Sequence, residues 1–222
     1  MKILLVAATP FEIAPLIQWL ETHFEQPETG LFLHKNVQVN TLISGVGGSA
    51  TASKTARYLA LHPADWAINA GIAGAFDASL ALGTVVQVIT EQWGDLGVEE
   101  ADGRFTDLSE LGFASSNIWE NQSTPLPGLP AVGGLSVNKV HGTKDSIARI
   151  RAKYPRVQVE SMEGAAFFQA CTEAGVPFVE IRGISNRVEP RNREAWDLPL
   201  AIRSLNQTLI GILEVFLERD DA

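Results

Sequence analysis

Residues 157–189, VQVESMEGAAFFQACTEAGVPFVEIRGISNRVE, constrain this chain more than any other stretch. Val157 and Val159 flank Gln158 in a brief alternation, after which Ala166, Phe167, Ala170, Cys171 and Ala174 recur at helical spacing. Gly175 and Pro177 stop that helix. Residues 178–184 are rich in β-formers, with Glu180 and Arg182 on the same face as Phe178 and Ile184. A strand, a helix and a second strand in that order predict an α/β architecture. Polar groups collect where the strands end. Glu163 follows the first, and Ser185, Asn186, Arg187 and Glu189 follow the second. In open α/β sheets that rim is where ligands bind.

The rest of the chain supplies a third group for the rim. Residues 3–8 form a continuous apolar run, the pattern of a parallel strand covered on both faces. Thr9 is placed to cap a following helix, with Pro10 at its first position and Glu12 in its first turn. The opening MKILLVAATP imitates a secretory leader, but its apolar run is short and meets Pro10 and Glu12 at once, so a buried strand is the better reading. Residues 32–43 read as a hairpin about Lys35-Asn36. Ser44-Gly45-Val46-Gly47-Gly48 then turns into a helix over 49–61. That turn matches the G-x-G-x-x-G/A dinucleotide pattern, yet it follows the third strand-like run, and Asp65 does not end a second βαβ strand. A tight turn near a ligand fits better.

Residues 66–69 read as a short strand ending in Ala70-Gly71-Ile72-Ala73-Gly74, whose glycines let the backbone approach a ligand closely or equally serve a sharp turn. A strand over 83–92 follows. Residues 94–133 are rich in glycine, proline and acid, which makes them a candidate lid or interface. A strand over 134–140 and a helix capped by Thr143 or Asp145 come next, with His141 between them as a solvated loop residue. The last helix, 193–217, carries Trp196, Leu200, Leu205, Leu209, Ile212, Leu213 and Phe216 at helical spacing and should pack across the sheet.

Bulk properties narrow the function. A chain of 222 residues suits one domain over 1–222 with a full core. Its net charge of -9 disfavours a nucleic-acid partner, because affinity for a phosphate backbone comes from basic groups. The single cysteine, Cys171, sits on the apolar side of its helix and fits a reducing, cytoplasmic compartment. No run approaches the roughly 18 apolar residues of a membrane helix. The histidines are scattered, so no metal site is expected, and neither a Walker loop nor a G-x-S-x-G elbow is present. What stands out is Glu12, Glu163 and Asn186, each after a strand. Two carboxylates flanking a sugar can stabilise an oxocarbenium-like transition state and activate water. Any one of them alone reads as a helix cap or a surface charge.

Over nearly its whole length the chain resembles the nucleoside phosphorylase and nucleosidase superfamily, and within it the futalosine hydrolase family. The resemblance rests on residues 1–12, on Ser44-Gly45-Val46-Gly47, on residues 69–74 (NAGIAG) and on 159–166 (VESMEGAA). It is most specific in 182–193 (RGISNRVEPRNR) and in 95–99 (DLGVE). It implies a mixed, mostly parallel sheet flanked by helices, a homodimer or larger homo-oligomer, a small nucleoside substrate and no cofactor. It implies that Glu12 activates the attacking water, that Glu163 accepts hydrogen bonds from the ribose hydroxyls with Met162 beneath the sugar, and that Asn186 holds the purine. Gly71, Ile72, Arg182, Arg187 and Arg191 complete the implied substrate contacts. The implied reaction releases hypoxanthine from futalosine, a step of menaquinone synthesis.

Asn186 departs from the aspartate that the methylthioadenosine/S-adenosylhomocysteine nucleosidases resembled here place at this position. Asparagine is no general acid, but its NH2 can donate to N7 and O6 of a 6-oxopurine, and it can also pair with adenine. The cluster Arg187, Arg191 and Arg193 matches the carboxylate of futalosine, which arginine binds in bidentate geometry. Pairing of these arginines with Glu189 and Glu194 is the alternative. An adenine-releasing nucleosidase of methylthioadenosine or aminodeoxyfutalosine, a non-catalytic nucleoside-binding protein and a dinucleotide-dependent oxidoreductase are the competing functions.

Overall fold

The computed structural model describes residues 1–121, 123 and 125–219. The first half of the chain forms β1 (Lys2–Ala7), α1 (Pro10–His23), β2 (Glu25–Glu28), β3 (Leu31–His34), β4 (Val37–Ile43), α2 (Gly48–Leu61), β5 (Trp66–Ala75) and β6 (Val85–Trp93). Three short strands follow, β7 (Gly97–Glu99), β8 (Phe105–Asp107) and β9 (Ile118–Glu120). The remainder is β10 (Ala131–Ser136), α3 (Lys144–Lys153), β11 (Val159–Ser161), α4 (Gly164–Ala174), β12 (Phe178–Arg187) and α5 (Leu198–Arg219).

The main sheet runs β11-β10-β6-β12-β5-β1-β4-β3-β2. It is mixed, because β12 is parallel to β5 and antiparallel to β6. The far end of β5 also pairs antiparallel with β11, Val159 opposite Ala75 and Glu160 opposite Gly74, so β5, β12, β6, β10 and β11 close into a ring. Bulges at Ile89 of β6, opposite Val132/Gly133, and at Ser185 in β12 supply the extra twist that closure needs. On one face α1 and α5 cover Ile3, Leu5, Ile68, Val179 and Ile181. On the other, α4 brings Phe167, Phe168 and Cys171 against Val6, Val88 and Ile184. Burial pushes the Cys171 thiol up, so it stays protonated and inert.

Three expectations change. The segment 70–74 is not a loop: β5 continues through it to Ala75, because its glycines and alanines leave room for side chains of β12 to lie across it. Ser185, Asn186 and Arg187 likewise lie within β12 rather than after it. The last helix begins at Leu198, with only a short 3-10 turn at Arg193–Ala195 before it, which leaves Trp196 outside. By length and mean hydropathy alone Arg193–Leu217 could cross a membrane, but Arg203, Asn206 and Gln207 interrupt its apolar residues, and Ala201, Leu205, Leu209 and Leu213 are buried on the sheet.

The stretch expected as a lid or interface is stitched to the body. Within it β7 and β8 pair with each other, and β9 adds to the edge of β6. Asn117 Nδ2 donates to the Trp93 carbonyl (3.1 Å) and Asn121 Nδ2 to the Phe178 carbonyl (2.9 Å). Those bonds do not favour a free lid.

Candidate active site

Glu12 enters the site from the first turn of α1 and is 8% exposed. Its Oε2 accepts from Thr9 N (2.8 Å) and Thr9 Oγ1 (3.0 Å), as the residue three after a cap does, and its Oε1 accepts from Ile72 N (3.3 Å). The helix is interrupted one turn on by Pro15, which has no N–H and whose ring crowds the preceding turn. Asn206 of α5 is inserted at the break. Its Oδ1 accepts from Leu16 N (2.9 Å) and its Nδ2 donates to the Glu12 carbonyl (2.8 Å), the two groups an unbroken helix would join to each other. The backbone of Glu12 is therefore tied to a different helix.

Glu163 comes from the junction of β11 and α4 and is 5% exposed. Its Oε1 accepts from Gly47 N (2.9 Å). Gly47 has φ +94 and opens α2, so a left-handed glycine turn puts a helix N-terminus against this carboxylate. The G-x-G-x-x-A turn thus holds an anion belonging to the protein itself, at the position where a dinucleotide fold would place a pyrophosphate.

Between the two acids lies Arg182, 1% exposed. Its Nη1 is 3.9 Å from Glu163 Oε2, its Nε donates to Glu180 Oε1 (2.7 Å) and its Nη2 donates to Asn69 Oδ1. Burial disfavours the cation, but Glu180, Glu163 and Glu12 more than compensate and hold it charged. A Cβ on Gly71 would stand 2.1 Å from Arg182 Nη1 and 2.9 Å from Glu12 Oε1. Gly71 is bare to admit the guanidinium, and the Ile72 N–H faces Glu12; the backbone approach read from the sequence serves the protein's own side chains.

At the other side of the rim Asn186 Oδ1 faces Ser185 Oγ (2.8 Å), and Nδ2 donates to the Arg187 carbonyl (2.8 Å). The amide lies over Gly74, where a Cβ would stand 2.9 Å from Nδ2. Met162 is half-buried between β11 and α4. Arg187 turns back onto the 77–78 turn, Nη1 donating to the Asp77 carbonyl (2.6 Å) and Nη2 to the Ala78 carbonyl (2.8 Å). Arg191 is exposed, its guanidinium 5.2 Å over the Trp196 ring and its N–H on the Gly142 carbonyl (3.1 Å). Of the two, Arg191 keeps its fork on the open side.

A family model of the Phosphorylase superfamily matches residues 2–110 and 138–218. The chain belongs to the phosphorylase superfamily. Among curated relatives, the futalosine hydrolase of Acidothermus cellulolyticus is 33% identical over 95% of this chain and 90% of its own. The 5'-methylthioadenosine/S-adenosylhomocysteine nucleosidase of Glaesserella parasuis is 31% identical over 82% and 83%. The futalosine hydrolase structure of Helicobacter pylori strain 26695 shares the fold, with a TM-score of 0.80 at 17% identity, covering 96% of this chain and 97% of that one. The mixed sheet flanked by helices is thus the superfamily's architecture.

Several residues of this superfamily member were not foreseen as parts of the site. His141 is no solvated loop residue: its Nδ1 pairs with Glu160 Oε2, its backbone N–H donates to Glu160 Oε1 (3.1 Å), and Glu160 is 4% exposed. Glu160 lies opposite Gly74, against which Asn186 rests, so this pair flanks the same rim. Asn206 gave no signal, since an asparagine on an amphipathic helix reads as surface. Glu180 did give one, as an acid two residues before Arg182 in a run of β-formers. Among the described residues no group of three or more His, Cys, Asp and Glu side chains is arranged to hold a metal ion.

Proposed function

We propose that the chain, acting as one domain, hydrolyses the N-glycosidic bond of a purine nucleoside, with futalosine as substrate and hypoxanthine as the base released. The observation that carries this reading is the pair of buried acids, Glu12 and Glu163, held at one rim by independent elements and joined through Arg182. Glu12 takes a proton from water as it attacks the anomeric carbon. Glu163 accepts from the sugar hydroxyls, which draws charge toward the ring as the C–N bond breaks. The purine leaves over Gly74 as an anion and takes its proton from solvent, while the proton taken by Glu12 returns to the medium. Asn186 has its oxygen directed at Ser185 and one N–H committed to Arg187, so its second N–H is the group offered to the base. A lone donor suits N7 or O6 of a 6-oxopurine. The relative in Acidothermus cellulolyticus carries the same activity in its name, which supports the choice.

The second reading is adenine release from methylthioadenosine or aminodeoxyfutalosine, favoured by the named activity of the Glaesserella parasuis relative. Turnover of futalosine and of its 6-amino analogue, with the liberated base identified, decides between them. Hypoxanthine release at the higher kcat/KM is expected; preferential adenine release would establish the second reading, and turnover of neither would refute both. In the same reading the enzyme works as a cytoplasmic homo-oligomer. Phe11, adjacent to Glu12 and 79% exposed, and Phe113, 80% exposed, are aromatic groups a second copy would cover.

A further inference from the structure

Glu91 of β6 and Glu180 of β12 are both 0% exposed, and the sugar chemistry uses neither. Each has one oxygen with no N–H or O–H to accept from, Glu91 Oε1 and Glu180 Oε2. Those two oxygens converge on one point. A Cβ built on Gly164 would stand 2.1 Å from Glu91 Oε1 and 2.6 Å from Glu180 Oε2, and the two carboxyls are within hydrogen-bonding reach of each other. Two ionised carboxylates facing one another without water are not tolerated in a core, whereas an acid and its conjugate base satisfy each other with one proton.

The neighbours decide which of them holds it. The other Glu180 oxygen receives Arg182 Nε at 2.7 Å, which favours ionisation there. The other Glu91 oxygen receives the neutral Ser136 Oγ at 3.0 Å, and Ser136 Oγ in turn accepts from Ala165 N at 2.8 Å. Among the described residues no cation forms an ion pair with Glu91. Burial and the charge of Glu180 push its carboxyl well above the usual range, against a smaller pull from Arg182. Burial raises Glu180 as well, with Arg182 opposing. The groups that face this pair are Arg182 on β12, Ser136 on β10 and Glu163 with the first turn of α4.

We propose that Glu91 is a neutral acid sharing its proton with the Glu180 carboxylate, and that this pair positions Arg182 between Glu163 and Glu12. Glu91 and Glu180 are positioning residues; they act through the guanidinium. The shared proton leaves Arg182 with one close counter-charge in the interior rather than two, so its Nη1 stays directed at the rim. Gly164 and Gly134 are bare for the same reason, since a Cβ on Gly134 would stand 2.3 Å from Glu91 Oε1.

This inference rests on the nucleosidase reading only for its kinetic arm, and a direct observation of the proton keeps the two apart. The carbonyl stretch of an un-ionised carboxylic acid is expected in the infrared difference spectrum of the wild-type protein against Glu91→Gln at neutral pH. Its absence overturns the proposal whatever the substrate. On the nucleoside turned over fastest, Glu91→Leu, which cannot donate, is expected to lose about tenfold or more in kcat/KM. Glu91→Gln, which donates an N–H to Glu180 and carries no charge, restores it to within about threefold. Glu180→Gln takes away the counter-charge and is expected to lose at least as much as Glu91→Leu, with melting followed in parallel so that only folded variants are compared. Equal damage from Glu91→Gln and Glu91→Leu, or wild-type kinetics in Glu180→Gln, refutes the positioning role.

Discussion

The two sides of the rim are built differently. On the Glu12 side each charged group has a partner brought from another element: Ile72 of β5 on Glu12, Gly47 at the start of α2 on Glu163, and Asn69 of β5 on Arg182. All three charged groups are buried. On the Asn186 side the partners are local, Ser185 and the Arg187 carbonyl, and the chain from Pro190 to Ala195 is exposed. A site that must fix a water and a sugar needs the first kind of construction, because an error of about 1 Å costs on the order of a hundredfold in rate. A site that chooses among bases and 5′ substituents works with the second. In the proposed function, rate and selectivity are therefore set by different parts of this fold, and each can be broken without the other.

The largest effect is expected from Glu12→Gln. It keeps the shape and the Ile72 contact but cannot take a proton, so kcat should fall by about 10²–10⁴-fold. Binding of a nucleoside should change little. Full activity in this variant would remove Glu12 from the proposed chemistry. Asn206→Ala comes next and tests whether the rigid side owes its rigidity to α5. It leaves Leu16 N and the Glu12 carbonyl without their partner at a break the helix cannot close, at a cost of about 1–3 kcal/mol in stability. A loss of kcat of roughly ten- to a hundredfold with KM nearly constant is expected, since the sugar and base contacts are untouched. Loss of stability alone, with kcat intact, would show that Glu12 finds its place without the kink.

Buried acids also leave a mark on stability. Glu91 is neutral when folded and ionises in the unfolded chain above about pH 4.3, so the folded state binds more protons there. Stability is fully present below that pH and declines as pH rises toward the folded-state value. Glu91→Gln cannot ionise in either state, and its melting temperature should fall less between about pH 5 and 8 than that of the wild type. Parallel curves would mean that Glu91 is charged in the core.

How much of this was legible depended on whether a residue's partners are close in sequence. The strand–helix–strand unit, the Thr9–Pro10–Glu12 start of α1 and the hairpin at Lys35-Asn36 are local patterns, and they stand where periodicity and caps put them. That Glu12 and Glu163 each follow the end of a strand was legible, whereas Asn186 lies inside β12, one residue from its end. Closure of the ring was not, since Glu160 opposite Gly74 is a pairing across 86 positions that no period announces (160 − 74). The glycines of 70–74 looked like a turn because the same residue serves a turn and a crowded strand; only Arg182, Asn186 and Val188 lying over Gly71 and Gly74 tell the two apart. His141 and Asn206 were unreadable for the same reason. Each has a partner on another element, Glu160 and Glu12, that sequence does not bring near.

The selective side separates two of the three arginines that follow Asn186, Arg187 and Arg191. Arg191 stacks on Trp196 with its fork open, so Arg191→Ala should raise KM about tenfold for a nucleoside bearing a 5′-side carboxylate and leave plain inosine unaffected. An equal effect on both nucleosides would show that the arginine does not read the carboxylate. The smallest effect is expected from Arg187→Ala. Its two terminal nitrogens are spent on the Asp77 and Ala78 carbonyls, which ties the end of β12 to the turn after β5. Removing them costs about 1–2 kcal/mol of stability, because charge-assisted bonds at a half-exposed position are partly replaced by water. The ratio of kcat/KM for futalosine to that for inosine should stay within about twofold. If that ratio collapses instead, Arg187 leaves the turn when substrate arrives, and the selective side is a moving part rather than a loosely built one.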